Sequence, residues 1–307
     1  MAKTDDSFTP TNRFGNEIVR HLGRITASGK RQSEIFEDWL DIVFASLDAL
    51  PRHIASVRDS GKMSEDTPEV AEMFARLWKK YDAKIYHDPF RSALGALIKS
   101  AEQGLAKQEY LDIVGEVYMA WGIPNKHTGQ FFTPYAVARM CAEVTVMDGE
   151  RMVHDRIKEA AAESILGQAA LMAGMVIEDP KEAREWYFEH ILPAIAPYYK
   201  PITVIDPACG SGVMLLAAAS RFPAWMTSLG LVQFFGQDID ATCVKMARIN
   251  MMLYQLNGYG LRILQASAKN NTESSVVLET PVLVEALQVE EPETNSVFAK
   301  NQQLQLF

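Results

Sequence analysis

Cysteine is scarce in this chain of 307 residues: Cys141, Cys209 and Cys243 are the only three, and their spacing is not that of a metal site. An odd, sparse set excludes a disulfide framework and predicts a reducing, cytoplasmic setting. Long apolar runs are missing as well, so no membrane span is expected. The opening stretch, MAKTDDSFTPTNRFGNE, lacks the apolar core of a signal peptide. There is no excess of basic charge. The formal net charge is −9, whereas a protein that coats nucleic acid is usually basic. There are fourteen prolines and no two are adjacent. What remains is 48% hydrophobic and 22% charged, enough for two domains or one elaborated domain.

The acidity is uneven. From residue 270 onward there are six Glu against one Lys, so this tail carries −5 of the −9. The body before it is only mildly acidic and leaves room for a local basic face. The first 31 residues, with Arg13, Arg20, Arg24, Lys30 and Arg31, are the one modest candidate for DNA contact, and a solvated charged face is the plainer reading.

The first 123 residues read as a helical N-terminal domain. Ile35, Trp39, Ile42, Val43 and Leu47 recur at helical spacing within 34–60. Thr67-Pro68 starts a second helix, with proline in its favoured first position and Val70, Met73, Phe74, Leu77 and Trp78 as its stripe. Asp88-Pro89 predicts the start of a third helix, and a fourth runs through EYLDIVGEVYMAW. These aromatic and methionine stripes read as bundle core. Residues 124–133 form a loop, 134–146 resume a helix, and about 150–199 read as an inserted helical hairpin broken at Asp179-Pro180.

From residue 200 the period changes. ITVID is a strand and VMLLAAASRF a helix, followed by the strand LVQFFGQDID, the helix ATCVKMARINMMLYQL and a third strand, GLRILQA. This alternation predicts an α/β fold with a parallel sheet. After 268 the pattern decays: SSVVLETPVLVEALQV could give one or two strands, and 269–307 read as an acidic, flexible tail.

The junction TVIDPACGSGVML at 203–215 is the chemical centre. A strand ends on Asp206, Pro207 to Gly212 turn the chain, and a helix follows. Glycines stand where side chains would collide with a ligand. A second strand ends in Gly236-Gln237-Asp238-Ile239-Asp240, and an acid at that place in such sheets holds ribose hydroxyls. The pair predicts a cradle for a nucleoside-containing cofactor. A generic glycine turn is the bland alternative, and a Gly-x-Gly alone would not exceed it.

Three segments in order resemble DNA adenine methyltransferases, the group that includes modification subunits of type I restriction systems. VIDPACGSGVMLLAAA resembles that group's S-adenosylmethionine loop, and FFGQDID its ribose-binding segment. GQFFTPYAVARMCAE at 129–143 resembles its Gly-Gln-Phe-Tyr-Thr-Pro element, with LDIVGEVYMAWG at 111–122 as the preceding helix. The resemblance spans roughly 110–268. It implies a Rossmann-like methyltransferase domain over 124–268 that binds S-adenosylmethionine or S-adenosylhomocysteine. Asp206 and Gly210 would face the amino-acid end, with Pro207, Ala208, Ser211 and Gly212 completing the loop. Asp238 would accept the ribose hydroxyls and Ile239 would pack on adenine. Phe131, Thr133 and Pro134 would close over the methionine moiety, while Phe132 reads equally as core or site. Cys209 reads as a small buried residue, and His127 as surface.

The chain departs from the family's pattern in its chemistry. Such enzymes orient the adenine amine with an Asn-Pro-Pro-Tyr or Asn-Pro-Pro-Phe segment and stack the flipped base on the aromatic ring. Neither segment occurs here. His87-Asp88-Pro89-Phe90 is the nearest look-alike and lacks the second proline. The third strand ends in ILQASAK, with Ala266 and Ser267 where an acid is usual, and the target-recognition region has no counterpart. An incomplete sheet with an uncovered edge is therefore expected. The hairpin at 150–199, the segment 275–289, or a second subunit or second copy could cover it.

The last five residues, Gln303-Leu304-Gln305-Leu306-Phe307, resemble the peptide by which bacterial replication and repair proteins bind the sliding clamp. Leu306 and Phe307 would fill an apolar pocket, with Leu304 beside it and Gln303 at the rim. Folding back onto the protein's own sheet is the alternative. Three functional readings stay open: a cofactor-binding, methyltransferase-like protein unable to methylate alone, a methyltransferase subunit completed by a partner chain, and a non-enzymatic adaptor that keeps the fold as scaffold.

Overall fold

The computed structural model describes residues 12–122 and 132–267. Five helices come first: α1 (Arg13–Gly23), α2 (Gln32–Ser60), α3 (Pro68–Lys80), α4 (Ala83–Lys107) and α5 (Ile113–Ala120). Four of the starts, all but that of α2, follow from capping. Asn12 accepts from the Phe14 amide, Thr67 from Val70, Asp82 from Lys84 and Asp112 from Gly115. The expected stripe of the long helix is buried at all five positions, Ile35, Trp39, Ile42, Val43 and Leu47. Pro89 does not start a helix. It lies inside α4, which Asp82 has already capped, and Pro89 and Phe90 are both buried. The ring costs α4 one hydrogen bond, and buried packing outweighs that loss.

Six further helical segments lead to the sheet. They are α6 (Tyr135–Thr145), α7 (Gly149–Ala162), α8 (Ile165–Gly174) and α9 (Pro180–Trp186), then a π turn over Tyr187–Ile191 and α10 (Leu192–Ile195). Asp179 caps α9 through the Lys181 and Glu182 amides, at the place where the sequence has its proline break. The helices from α7 to α10 pack through Tyr187 and Phe188 onto Trp225, with edge-on rings 5.7 Å apart in both pairs.

Two strands follow, β1 (Ile202–Asp206) and β2 (Val232–Gly236), with α11 (Val213–Ala219) and α12 (Ala224–Ser228) between them. They pair in parallel, Asp206 opposite Gly236, so both carboxyl ends finish side by side. After β2 come α13 (Ala241–Leu253) and α14 (Tyr259–Ser267). Buried side chains of the N-terminal helices and of the sheet layer form one continuous core. Two polar contacts tie α2 to the helices after β2, a surface pair of Lys245 with Asp41 and the buried Tyr259 hydroxyl bonded to the Leu47 carbonyl.

The expected third strand is not one. GLRILQA lies within α14. Among the described residues the sheet has two strands, and an asparagine takes the place beside β2. Asn257, at φ 54°, donates from Nδ2 to the Phe234 carbonyl at 2.8 Å and accepts from the Phe234 amide at Oδ1, also at 2.8 Å. Asparagine tolerates that left-handed backbone better than other non-glycine residues. The Asp206 carbonyl bonds to Gln237 and the Ile202 amide to Leu231, so alternation turns the Phe234 backbone away from β1. The side-chain amide thus imitates one residue of a neighbouring strand. This contact serves the middle residue of the β2 edge, and the run that reads as a strand is helix. On the open face, Ile205 and its register partner Phe235 are 66% and 48% exposed.

Asn257→Ala leaves both Phe234 backbone groups without their partner. We expect a loss of about 1–3 kcal/mol, read from the urea midpoint at unchanged slope. An unchanged midpoint would show that water replaces the amide at no cost.

Candidate functional site

The glycine loop is held by its own backbone and by two acids. The Asp206 carboxylate accepts from the Ala208 amide at 3.0 Å, a local turn that starts the loop. The Cys209 amide donates to the Gln237 carbonyl at 2.8 Å, and the Gly212 amide to the Cys209 carbonyl at 2.7 Å. Asp238 reaches across from the end of β2 and accepts from the Gly210 amide at 2.9 Å, while its other oxygen accepts from Asp240 at 2.9 Å. The two acids singled out from the sequence therefore flank one loop.

Glycine is required here on two grounds. Gly210 and Gly212 have φ of 53° and 92°, a region that other residues avoid. A Cβ on Gly210 would also lie 3.1 Å from the Phe132 ring. Phe132 in turn stacks on Tyr118 of α5, centroids 5.6 Å apart and planes 20° apart. Thr133 is half-buried, and Pro134 is exposed at the N-cap of α6, where its carbonyl accepts from Val137 and Ala138. Ala138 and Ala142 of α6 pack on Val213 and Ala217 of α11, which brings this segment beside the loop. Phe131 lies outside the described residues, as do His127 and the whole tail with Gln303, Leu304, Leu306 and Phe307.

Ile239 is fully exposed next to Asp238, an apolar side chain that no other described residue covers. Cys209 and Cys243 are buried. Burial, with the charges of Asp206 and Asp238, pushes the Cys209 thiol up to about 11. Burial, with Asp240 and Asp238, pushes Cys243 up to about 12. Both stay protonated near neutrality, so neither is an activated nucleophile. In the basic N-terminal stretch, Arg20 and Lys30 face Glu17 and Glu34 at 3.9 Å, solvated pairs on a helix surface.

Sequence reasoning missed the residue beneath the loop. Asp112, fully enclosed at the start of α5, takes the Ser211 hydroxyl on one oxygen. Its other oxygen takes the Gly115 amide and the Asn250 side chain, each at 2.8 Å. Asn250 also donates to the Ser211 carbonyl at 2.8 Å. Among the described residues no Lys or Arg pairs with Asp112. Burial raises its carboxyl to about 6, the three hydrogen bonds opposing that rise. A capping acid was legible before VGEV, and so was a polar Asn250 on the apolar face of α13. Their meeting was not.

The arrangement suits a nucleoside. Each Asp238 oxygen takes one amide and keeps a lone pair for a hydroxyl, and Ile239 offers apolar area beside it. A family model described as N-6 DNA Methylase matches residues 180–287, which include the glycine loop and Asp238. The match supports an adenine DNA methyltransferase family. It leaves α5 and the Thr133-Pro134 segment outside its range. No solved structure matches the chain. That family typically uses S-adenosylmethionine. Among the described residues no helix is long and apolar enough to cross a membrane, and no cluster of metal-binding side chains occurs.

The raised carboxyl fixes a sign. A group whose folded value lies above its unfolded value near 3.9 favours the fold at low pH. That contribution is lost as pH rises from about 4 through about 6. Asp112→Asn can keep every contact, with Oδ1 accepting from Gly115 and Asn250 and the Ser211 bond reversed, Nδ2 donating to the hydroxyl oxygen. We expect this variant to gain up to about 3 kcal/mol over the wild type at pH 8 and nothing at pH 4. Denaturant unfolding at both pH values checks it, and a gain that does not depend on pH would contradict it.

Proposed function

We propose that this protein binds S-adenosylmethionine or S-adenosylhomocysteine and acts at DNA as an adenine methyltransferase-like protein that does not methylate alone. The observation that carries the reading is the clasp between the Gly210 amide and Asp238, with Asp206 opening the same loop. Asp238 would hold the ribose hydroxyls, Ile239 would cover one face of adenine, and Asp206 with Pro207, Ala208, Gly210, Ser211 and Gly212 would line the amino-acid end. Phe131, Thr133 and Pro134 would close the methionine side. When bound, the cofactor supplies the methyl group. A poor nucleophile such as the adenine amine still needs groups that orient it, and this chain has no Asn-Pro-Pro-Tyr or Asn-Pro-Pro-Phe segment to do so. A second polypeptide carrying such a segment would turn the same pocket into a working enzyme, and that is the alternative reading.

Isothermal titration of the purified chain with S-adenosylmethionine and S-adenosylhomocysteine tests the pocket. Micromolar affinity, about −8 kcal/mol, is expected, and Asp238→Ala should weaken it at least 100-fold with the far-ultraviolet spectrum unchanged. If neither ligand binds the wild type, the fold serves as scaffold alone.

The peptide Gln303-Leu304-Gln305-Leu306-Phe307 supports recruitment by a bacterial sliding clamp. Its apolar side chains at the end of an acidic stretch match a short extended anchor set in an apolar pocket. Deletion of Leu306 and Phe307 should abolish retention on immobilised clamp. Retention of the truncated chain would remove the clamp from the reading.

A further inference from the structure

We propose that Asp112 is a positioning residue for the cofactor loop, fixing Ser211 from helix α5 and so setting the shape of residues 208–212. The inference rests on the cofactor reading for its purpose and on the geometry alone for its mechanism. Three elements meet at this one carboxylate: α5 through the Gly115 amide, the glycine loop through Ser211, and α13 through Asn250. The Asn250 amide closes the triangle by holding the Ser211 carbonyl.

Asp206, Asp238 and Gln237 hold the loop from the strand ends, and α5 holds it from below. Helix α5 touches the loop a second time, through Tyr118 stacked on Phe132, which lies against Gly210. Asp112 and Tyr118 are thus two supports on one helix, a hydrogen bond under Ser211 and an aromatic wall beside Gly210. Gly115 belongs to the same device. A Cβ there would collide with the Asp112 carboxylate and lie 2.6 Å from the Ser211 hydroxyl, so glycine leaves room for the contact between them. A carboxylate is costly to bury without a cation. Three donors converging from three elements offset that cost only while the loop keeps this place.

Amide hydrogen exchange on the ligand-free full chain tests the inference directly. The amides of Ala208, Cys209, Gly210 and Gly212 are hydrogen-bonded and so should be protected. In Asp112→Ala, Ser211→Ala and Gly115→Ala they should exchange at least 10-fold faster while α2 keeps its protection. Asp112→Asn should restore wild-type exchange to within about 3-fold, because an amide can serve all three partners. Titration with S-adenosylhomocysteine should follow the same order, at least 10-fold weaker for Asp112→Ala and near wild type for Asp112→Asn. If Asp112→Ala loses protection everywhere, Ser211→Ala, which removes one hydroxyl, decides the question. Unchanged loop exchange in Ser211→Ala overturns the proposal. If the exchange pattern holds while the wild type binds neither nucleoside, the cofactor reading falls and the positioning role of Asp112 stands.

Discussion

Burying a carboxylate without a cation beside it costs free energy, and at Asp112, which no Lys or Arg meets among the described residues, geometry offsets part of that cost. The offset comes from donors on three separate elements, Gly115 on α5, Ser211 in the loop and Asn250 on α13. Each donor fixes the position of its element relative to the other two. The helical N-terminal part and the sheet layer are therefore joined by a directional polar contact as well as by apolar packing. Apolar packing tolerates small slides between elements, and a three-way hydrogen-bonded junction does not. The glycine loop is held both from the strand ends, through Asp206, Asp238 and Gln237, and from this junction through Ser211.

The same logic operates at the other end of the sheet. Parallel strands need both edges satisfied or covered, and a small sheet has few neighbours to do it. Asn257 answers this with one side chain that serves both the amide and the carbonyl of Phe234. Only an amide-type side chain offers a donor and an acceptor at that span. Its left-handed backbone lets the chain reverse into α14, which returns to α2 through Tyr259. Edge protection and helix packing are thus achieved by residues only two positions apart.

Much of this was legible in the chain. Period and capping placed α2, α3, α6, α9, α11 and α13, because each has an apolar stripe, a capping side chain or a proline at its start. Asp206 and Asp238 were legible because the residues around them are unusual together, an acid on each of two strand ends with glycines between. GLRILQA was misread because a short, partly apolar run suits a strand or a helix equally well, and Asn257, which occupies the place beside β2, acts through a tertiary contact. Pro89 was misread because proline is a common helix starter, and nothing local reveals that Asp82 has capped the helix first. Asp112 stayed hidden for a similar reason. Its role as an N-cap is local, and its bonds to Ser211 and Asn250 join residues far apart in sequence.

Preorganisation is what links these contacts to the proposed ligand. A loop that must order on binding spends part of the interaction energy on its own entropy. Here Gly210 is already held by Asp238, Ser211 by Asp112, and Cys209 by the Gln237 carbonyl. A nucleoside entering such a site would meet acceptors whose positions are set before it arrives. The oxygen of Asp238 that braces Gly210 would be one that receives a hydroxyl, so occupancy and loop shape would reinforce each other. Such a pocket needs nothing from the residues that orient a target base. Cofactor binding and methyl transfer are consequently separable properties of this architecture, and a chain that lacks the base-orienting segment still has physical reason to keep every contact around the loop.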